Sequence, residues 1–537
     1  MPVDVRRFPW IRRLAADYAF AYDSLAPFFA GNPSERVAWD GMIVRAQAHR
    51  RRGAEVAAVV AQQQRRRAAP PAAVAAAERL ADPRTVAIVT GQQAGLFGGP
   101  LFTLLKALTA LTLADRIARD HQVPTVAIFW IDAEDHDWEE VSACAVLDAE
   151  LRRRVVRLPR PPGAGEVPVA SVQLDQAIGV VIDELAGVLA PTEFTATLLT
   201  WLRNAYRAGA GMADAFGRWL EMVLGDRGLV VYDASDAAAK PLVREVFARE
   251  IATPGETARL AATAGNVLVA HGYHEQVTPH DDGLALFHLD GVRQPIRHHG
   301  DRFSIGQSTL TAEALTGRAL AQPAAFSPNV LLRPIVQDTL FPTICYVAGP
   351  NELAYLAQLG AVYEHFGVPM PLFYPRASIT LVESAAARFL ARYDLPLESL
   401  QPDDEAALNR LLEQQLPATV EAALQAASTA ITERMTALIE ALPALDPTLE
   451  GAARSALGRM EHDLRTLHGK VIHAAKRRDD TLRRQFARTR AQAFPDGHPQ
   501  ERAIGFVYFL NKYGPALVDR LAAELPLDMG QHWVVTI

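Results

Sequence analysis

The chain has 537 residues, more than one hydrophobic core usually organises, so we expect about two to four structural units. Half of the residues are hydrophobic and 21% are charged, a balance that excludes disordered and fibrous proteins. Lys and Arg together number 54 against 61 Asp and Glu, and the formal charge of -7 gives no reason to expect nucleic acid as a partner. The composition therefore favours small-molecule chemistry.

The cysteine content and the N-terminal segment bear on the compartment. Cys144 and Cys345 are the two cysteines of the chain, and two thiols supply neither a disulfide framework nor a typical structural zinc site. The N-terminal segment contains several arginines and no apolar h-region, and a transmembrane run of about 18 apolar residues is absent from the sequence. We expect a cytoplasmic protein with no membrane segment.

Residues 1–84 are rich in Ala and Arg and predict helices that precede the core. Basic runs at 50–52 and 65–67 are typical of solvated helix faces, with an anion or nucleic-acid site as the alternative. The first predicted strand is VAIV at 86–89, because a continuous apolar run suits a parallel strand that is buried on both faces.

A glycine-rich loop, TGQQAGLFGGP at 90–100, separates this strand from a helix whose leucines fall at helical spacing. The loop lacks the Lys-Ser/Thr ending of a P-loop, and its glycines do not fit GxGxxG. A glycine-rich turn that opens a helix still offers free backbone N–H groups to an anion, and two glutamines add amide donors and acceptors. A tight turn without a ligand is the alternative. The candidate cofactor-binding residues are Thr90, Gly91, Gln92, Gln93, Gly98 and Gly99.

An acidic cluster, DAEDHDWEE at 132–140, directly follows a second apolar strand at 124–131. The two strands and the helix between them form a βαβ unit, whose right-handed crossover places both loops on the ligand-binding edge of the sheet. Crowded carboxylates raise one another's pKa, so the cluster could hold a metal, act as general base or bind a substrate amine. An acidic first helical turn is the alternative, and it accounts for Glu139 and Glu140 better than for His136. The candidate catalytic residues are Asp135, His136 and Asp137.

A third polar cluster, SPNVLLRPIVQD at 327–338, precedes a predicted strand at 342–348 and the turn GPNE at 349–352. Buried polar groups need partners, which either an internal hydrogen-bond network or a ligand provides. The candidate substrate-binding residues, which include one member of the acidic cluster, are Glu134, Asn329, Arg333, Gln337, Asp338, Asn351 and Glu352.

The strand and helix patterns return at 229–233 and at 342–374 and predict a doubly wound parallel sheet of the α/β class. We assign 85–150, 226–252 and 326–384 to this core, with insertions at 151–225 and 253–325, where the pattern loosens. Six histidines between 271 and 299 have no familiar metal spacing, and we interpret them as structural or exposed.

Long helices are predicted for residues 385–500. Apolar residues at 431, 435, 438 and 442 are spaced 4-3-4, and those at 457, 460, 464, 467 and 471 are spaced 3-4-3-4. Prolines and a glycine interrupt any helix between the two groups. This pattern predicts an antiparallel coiled-coil hairpin, and its apolar seams predict a homodimer. Residues 501–537 are apolar enough to pack back on the core.

Five long blocks of sequence carry a family resemblance. They are TGQQAGLFGGPLFTLLKA (90–107), FWIDAEDHDWEEV (129–141), SPNVLLRPIVQDTLFPTICYVAGPNELAYLAQL (327–359), MPLFYPRASITLVE (370–383) and FLNKYG (509–514). In this order they closely resemble the cysteine-adding enzymes of bacillithiol biosynthesis, a family of cysteine ligases. The resemblance implies a Rossmann-like core with connecting-peptide insertions and an appended α-helical coiled-coil domain that dimerises.

The resemblance also implies a reaction, in which the carboxyl group of cysteine is joined to the amine of glucosaminyl-malate. Amide formation from a free carboxylate is uphill in water, so cysteine activated as an adenylate or acyl phosphate is expected, with ATP and magnesium as the natural donor. The turn at 90–99 would then receive phosphates or a carboxylate, and residues 135–137 would orient a metal or the amine. Asn329 and Arg333 would bind anionic substrate, because the arginine fork suits carboxylates.

Two other classes of function remain open on the sequence. One is a metal-dependent hydrolase centred on Asp135, His136 and Asp137, although the sequence does not specify a metal. The other is a non-catalytic scaffold that uses the coiled coil. The polar clusters lie far in sequence from the heptads, which weakens the scaffold interpretation.

Overall fold

The computed structural model describes residues 1–49, 52–161, 163–280, 282–401, 405–414, 418–478 and 480–537, with the backbone alone for 418, 473 and 475–478. Arg50 and Arg51, of the predicted basic run, lie outside the described residues. The chain divides into two units, one formed by 1–380 and 500–534 and the other by 381–499 and 535–537. Among the helices described, none is long and apolar enough to cross a membrane.

The strands occur mainly in the first unit. In chain order they are β1 (Pro2–Asp4), β2 (Val86–Gln92), β3 (Thr125–Ile131), β4 (Ala143–Leu147), β5 (Arg153–Arg157), β6 (Val230–Asp233), β7 (Gly283–Asp290), β8 (Val292–His299), β9 (Arg302–Ile305), β10 (Ser308–Thr311), β11 (Phe326–Pro328), β12 (Thr343–Ala348), β13 (Leu372–Pro375), β14 (Ser378–Val382) and β15 (Gln531–Thr536).

The helices of the first unit precede, connect and follow these strands. They are α1 (Arg13–Phe20), α2 (Arg36–His49), α3 (Gly53–Arg66), α4 (Pro71–Arg79), α5 (Leu101–His121), α6 (Trp138–Val141), α7 (Ala177–Val188), α8 (Thr195–Ala205), α9 (Met212–Leu224), α10 (Arg244–Ala252), α11 (Glu256–Ala270), α12 (Ala312–Ala321), α13 (Arg333–Leu340), α14 (Glu352–Leu356) and α15 (Gly360–Phe366). The helices of the second unit are α16 (Ser384–Arg392), α17 (Ala406–Gln414), α18 (Ala418–Ala441), α19 (Leu449–Arg478) and α20 (Asp480–Ala493), and the chain returns to the first unit in α21 (Gln500–Ala503), α22 (Phe506–Tyr513) and α23 (Ala516–Glu524).

The central sheet is parallel and has the order β13-β12-β2-β3-β6. Its strands are almost entirely buried, as continuous apolar runs predict for strands covered on both faces. Relative to the chain, the order of strands reverses between β2 and β12. Such a reversal opens a crevice at the carboxyl ends of the strands, where ligands of doubly wound folds bind. The predicted Rossmann-like α/β core is thus confirmed.

One predicted boundary in this sheet is wrong. Strand β2 continues to Gln92 because its pairing with β3 continues, with Thr90 opposite Phe129 and Gly91 opposite Trp130. The loop predicted at 90–100 therefore begins three residues later, and its first residues are strand. A Cβ on Gly91 would lie 2.8 Å from the carbonyl oxygen of Trp130, so this glycine permits close strand packing rather than a turn.

The insertions recruit residues that we assigned to the core. The hairpin of β4 and β5 starts at Ala143, before the predicted boundary at 150. Strand β11 pairs with β7 at the edge of an antiparallel sheet of order β10-β9-β8-β7-β11, with Ser327 opposite Phe287. Residues 326–328 thus belong to the inserted sheet, not to the core segment 326–384. Ser327 and Pro328 are the first two residues of the third polar cluster.

In the second unit, α18 packs against α19, and the short connection at 442–448 makes the two helices an antiparallel hairpin. The predicted coiled-coil domain is confirmed. Within the single chain the apolar seams are only partly covered, since Leu438 is 46%, Met460 44% and Leu467 50% exposed.

The C-terminal segment completes the first unit. Strand β15 pairs antiparallel with β1, with His532 opposite Val3. The ring of Phe506 stacks on Trp219 with centroids 6.0 Å apart. Leu101, the first residue of α5, donates its backbone N–H to the carbonyl oxygen of Ile504 at 2.8 Å. The start of α5 is therefore covered by protein.

Candidate functional site

A cleft of about 380 Å³ opens at the reversal point between β2 and β12. The lining contains seven of the residues that the sequence identified as candidates, which are Gly91, Gln92, Gln93, Asp135, Asn329, Arg333 and Glu352. It also contains polar and aromatic residues that the sequence did not single out, which include Asp132, Arg293, Tyr346, Tyr355 and Trp130. Three segments predicted separately thus meet in one place.

Lys106, in the second turn of α5, lies directly behind the cleft and is only 3% exposed. Its ammonium group donates to the carbonyl oxygen of Gly91 at 2.8 Å and to Oε1 of Gln92 at 3.2 Å, and it lies 2.6 Å from Oε2 of Glu352. Burial lowers the pKa of Lys106, while Glu352 acts in the opposite direction. One lysine therefore ties the ends of β2 and β12 together across the reversal point.

Asp135 is the centre of the acidic wall. Its Oδ2 accepts from Nε2 of Gln93 at 2.7 Å, and its Oδ1 lies 3.4 Å from Nδ1 of His136 and 3.6 Å from Arg293. Burial raises the pKa of the neighbouring Asp132, and nearby arginines oppose that shift. His136 is about half exposed and adjoins the cleft. A carboxylate, an imidazole and a guanidinium group thus meet at one edge.

Two further candidates from the acidic cluster, Glu134 and Asp137, also lie outside the cleft lining. Glu134 is buried and forms an ion pair with Lys240, so it has a protein partner rather than a free carboxylate for substrate. Asp137 is the N-cap of α6, where its Oδ1 accepts from the backbone N–H of Glu140 at 3.2 Å. Part of the acidic cluster is therefore explained by a helix start and part by a buried ion pair.

Arg333 forms the opposite wall, and its buried guanidinium donates to Oε1 of Gln337 at 3.1 Å and to the hydroxyl of Tyr355 at 3.4 Å. Gln337 in turn donates to Oδ1 of Asp338 at 2.8 Å, and the other oxygen of Asp338 accepts from Tyr363 at 2.5 Å. Gln337 and Asp338, predicted to bind substrate, therefore lie behind Arg333 and hold it in place.

Two further side chains enter the cleft from the inserted sheet. Arg293 belongs to strand β8, and Asn329 directly follows strand β11. Oδ1 of Asn329 accepts from the backbone N–H of Leu331 at 2.9 Å. Arg293, on β8, donates to the hydroxyl of Ser327 at 3.2 Å and to the carbonyl oxygen of Pro328 at 3.0 Å. Both side chains are thereby fixed before any ligand binds.

Four candidate residues lie elsewhere. The amide of Gly98 donates to the carbonyl oxygen of Gly95 and to the hydroxyl of Tyr206, and that of Gly99 donates to Leu96, so both amides are already paired. The hydroxyl of buried Thr90 donates to the carbonyl oxygen of Val347 at 2.9 Å, and exposed Asn351 is outside the lining. Of the six predicted cofactor-binding residues, Gly91, Gln92 and Gln93 thus line the cleft.

Sequence reasoning missed two cations at this site. Lys106 carries a usable signal, because it is the one charged residue among the buried residues of α5. Arg293 carries none, because it lies in an inserted sheet with no motif. Among the described side chains, no group of three or more His, Cys, Asp or Glu is arranged to hold a metal ion. Of the three residues of the hydrolase hypothesis, Asp135 and His136 lie side by side, whereas Asp137 is the N-cap of α6.

A larger groove, of about 670 Å³, lies in the helical unit between α17 and α20. Three arginines, Arg483, Arg484 and Arg490, line it together with apolar residues. None of the candidate site residues is part of it. The smaller cleft is therefore the candidate active site, since it lies at the ligand-binding edge of the sheet and unites the predicted clusters.

Comparisons with known proteins identify the family. Residues 1–377 match the N-terminal Rossmann-like domain of bacillithiol biosynthesis BshC, and residues 379–537 match its C-terminal coiled-coil domain. Relatives named "Putative cysteine ligase BshC" occur in Salinibacter ruber, 35% identical over 98% of this chain and 96% of the relative, and in Chlorobaculum tepidum, 34% identical over 83% and 82%. A relative of the same name in Koribacter versatilis is 36% identical over 81% of both chains. The resemblance in the sequence blocks is confirmed, and the chain belongs to the BshC family of bacillithiol biosynthesis.

Proposed function

We propose that the protein is a cysteine ligase that joins the carboxyl group of cysteine to the amine of glucosaminyl-malate. The supporting observation is that carboxylates and guanidinium groups share one small cleft, with Asp132 and Asp135 beside Arg293 and Arg333. Cysteine carries an ammonium and a carboxylate, and the acceptor carries an amine and the carboxylates of malate. Each substrate therefore needs both positive and negative side chains in its binding site. The name of the relatives agrees with cysteine as one of the substrates.

The anionic end of a substrate is assigned to Arg333 and Asn329. Gln337 and Tyr355 hold the arginine fork, which suits bidentate binding of a carboxylate. Because Oδ1 of Asn329 is used by the start of α13, its Nδ2 is the atom left to donate to substrate.

The attacking amine is assigned to the edge formed by Asp135 and His136. An ammonium group must lose a proton before it can attack, and a positioned base within hydrogen-bond reach accepts that proton. The carboxylate of Asp135 orients the amine. His136, whose Nδ1 lies 3.4 Å from Oδ1 of Asp135, is the proton acceptor. Gln93 holds Asp135 in place through the 2.7 Å bond to Oδ2.

ATP with magnesium would supply the leaving group that a free carboxylate lacks. The donor set fits anionic phosphate oxygens, since Gln92 and Arg293 offer N–H groups to the cleft. Magnesium is commonly held through one or two carboxylates together with phosphates, and Asp132 or Asp135 would serve as such a ligand. Because the amides of Gly98 and Gly99 are already paired, Gly91, Gln92 and Gln93, at the carboxyl end of β2, remain the proposed contacts.

The test is to incubate the protein with ATP, L-cysteine and glucosaminyl-malate and to measure the conjugate by mass spectrometry. We expect the mass of the amide product, formed with loss of one water overall, and no product when any one substrate is omitted. Absence of conjugate from folded protein would contradict the proposal. Release of phosphate from simple esters without conjugate would favour the metal-dependent hydrolase.

A further inference from the structure

Gln92 and Gln93 are adjacent cleft residues whose side-chain amides have opposite charged partners. Oε1 of Gln92 accepts from the ammonium group of Lys106 at 3.2 Å, whereas Nε2 of Gln93 donates to the carboxylate of Asp135 at 2.7 Å. An ammonium group only donates and an ionised carboxylate only accepts, so each partner permits one orientation of the amide. The two glutamines are therefore fixed in opposite orientations.

This fixing determines what Gln92 offers to a ligand. Its carbonyl oxygen is used by Lys106, and Nε2 has no acceptor among the described residues. Gln92 is half-buried and lines the cleft, so its two N–H donors are available to a bound molecule. A neutral donor at a partly buried site is best matched by an anionic oxygen.

We infer that Gln92 donates a hydrogen bond to an anionic oxygen of substrate, a carboxylate or phosphate oxygen, and that Lys106 is the positioning residue that orients this donor. Lys106 does not itself line the cleft. It acts through three contacts, with the carbonyl oxygen of Gly91, Oε1 of Gln92 and the carboxylate of Glu352. Without the lysine, the amide of Gln92 could turn its oxygen toward the ligand, where it would repel an anion.

The inference deepens the proposed function and rests on it for the identity of the substrates. Three pairs of probes separate the possible sources of the anionic oxygen. ATP is compared with adenosine, L-cysteine with cysteamine, and glucosaminyl-malate with glucosamine. In each pair the second compound lacks the anionic group. Dissociation constants are measured by titration calorimetry, which does not require ligation to occur.

The first variant is Gln92→Glu. Its carboxylate still accepts from Lys106, so the fold is retained, but an acceptor replaces the donor that faces the cleft. We expect the affinity for one anion to fall by about tenfold or more, the usual weight of a hydrogen bond to a charged group. The affinity for its counterpart without the anionic group should not change. Gln322→Glu makes the same chemical change at an exposed position outside the cleft and should leave every affinity unchanged.

The second variant tests the role of Lys106. Lys106→Met together with Glu352→Gln removes both charges of the buried pair, so no isolated charge remains, and Glu352→Gln alone reports the effect of the carboxylate. If Lys106 acts through Gln92, then Gln92→Glu should reduce the affinity for the anion much less in the double variant than in the wild type, because the two effects are coupled. Independent, additive losses would assign Lys106 a merely structural role and overturn that part of the inference.

Two outcomes overturn the role of Gln92. One is a folded Gln92→Glu protein whose affinities for all three anions stay within about twofold of wild type. The other is an equal loss for the anion and its counterpart. Conjugate formation is scored separately. A protein that binds an anion through Gln92 but forms no conjugate contradicts the proposed function alone, and one that forms conjugate without this dependence contradicts the present inference alone.

Discussion

Glu134 and Lys240 form an ion pair in the interior of the first unit, with side chains 6% and 4% exposed, although 106 residues separate them in the chain. Lys240 also donates to the carbonyl oxygen of Phe326 at 3.2 Å. Burial raises the pKa of Glu134, and Lys240 opposes this shift. The pair joins the acidic loop after β3 to strand β11, and so holds Asp135 and Asn329 in their places on two walls of the cleft.

We therefore expect Lys240→Met to destabilise the protein strongly, because it leaves the carboxylate of Glu134 buried without a partner. Removing one member of a buried ion pair typically costs about 3–5 kcal/mol in the free energy of unfolding. Urea unfolding followed by near-UV circular dichroism measures this. Lys240→Met with Glu134→Met replaces the pair by apolar side chains and should recover most of the loss. A single variant as stable as wild type would show that the pair is not required.

Gly98 is the second position where the structure predicts an effect on stability. The sequence made Gly98 and Gly99 candidate cofactor-binding residues, whereas the structure predicts that they act on stability. A Cβ on Gly98 would lie 2.2 Å from the ring of Phe506 and 2.6 Å from Trp219, at a φ of +94°. Overpacking and backbone strain together should make Gly98→Ala lower the free energy of unfolding by on the order of 3 kcal/mol or more. Thermal unfolding measures this change.

The matched control for this change is Gly209→Ala. Gly209 has a φ of +84° but nothing within 4 Å of a built Cβ, so it reports the backbone strain alone. We expect it to cost about 1–2 kcal/mol. Equal losses of stability in the two variants would show that contact with Phe506 does not contribute to the effect at Gly98.

The stability of the protein should also depend on pH through Asp338. Burial raises the pKa of this carboxyl group to about 6, from an ordinary value of 3.8. A carboxyl group whose pKa is raised by folding favours the folded state below its unfolded pKa, and this contribution is lost as the pH rises through the folded pKa. The free energy of unfolding of wild type, relative to that of Asp338→Asn, should therefore fall by about 2–3 kcal/mol between pH 4 and pH 6. Above pH 7 the difference between the two proteins should stay constant. Parallel unfolding profiles for the two proteins would contradict the assignment.

The central sheet could be predicted because its strands are continuous apolar runs. Such a pattern results directly from burial on both faces, so β2, β3 and β12 were located from the residues alone. The carboxyl end of β2 was missed because Gly91 and Gln92 resemble a turn in composition. Only the pairing with Trp130 and Ile131 shows that they continue the strand, and that pairing is tertiary information.

The candidate site was only partly predictable for a similar reason. Charge directly after β3 indicated a ligand edge, but the sequence could not distinguish Glu134, which has a buried partner, from Asp135, which faces the cleft. The partners Lys240 and Arg293 are remote in sequence and carry no motif. Local patterns thus located the edge of the sheet, while long-range contacts decided which side chains are available for chemistry.

The coiled-coil unit is expected to form a homodimer. Leu438, Met460 and Leu467 are large apolar residues of the hairpin that are about half exposed in the single chain, and a second copy would cover them. Replacing all three with Glu should give a monomer in sedimentation velocity at micromolar concentration. Val37→Glu changes an exposed apolar residue of the first unit and should leave the mass unchanged. A wild-type monomer at this concentration would contradict the prediction.

The last prediction concerns Asp135 and His136, which we propose to orient and deprotonate the amine. Asp135→Asn keeps the shape of the side chain but removes its charge and basicity, and His136→Ala removes the proposed proton acceptor. Each change should lower the rate of conjugate formation by roughly 10²-fold or more, the usual scale for a positioned acid–base group. Both side chains are partly exposed and neither substitution creates a buried cavity, so the free energy of unfolding should change by less than about 1 kcal/mol.

Glu139→Gln is the matched control, because Glu139 belongs to the same acidic run but is exposed in the first turn of α6 and contacts Arg157. If negative charge at the start of this helix were all that mattered, Glu139→Gln and Asp135→Asn would have similar effects, since each removes one charge. If Asp135 acts on the amine, only Asp135→Asn reduces conjugate formation. A stable Asp135→Asn protein with full activity would reduce the cluster to a helix start, and one that melts far below wild type would assign Asp135 to the structural network of Gln93 and Arg293.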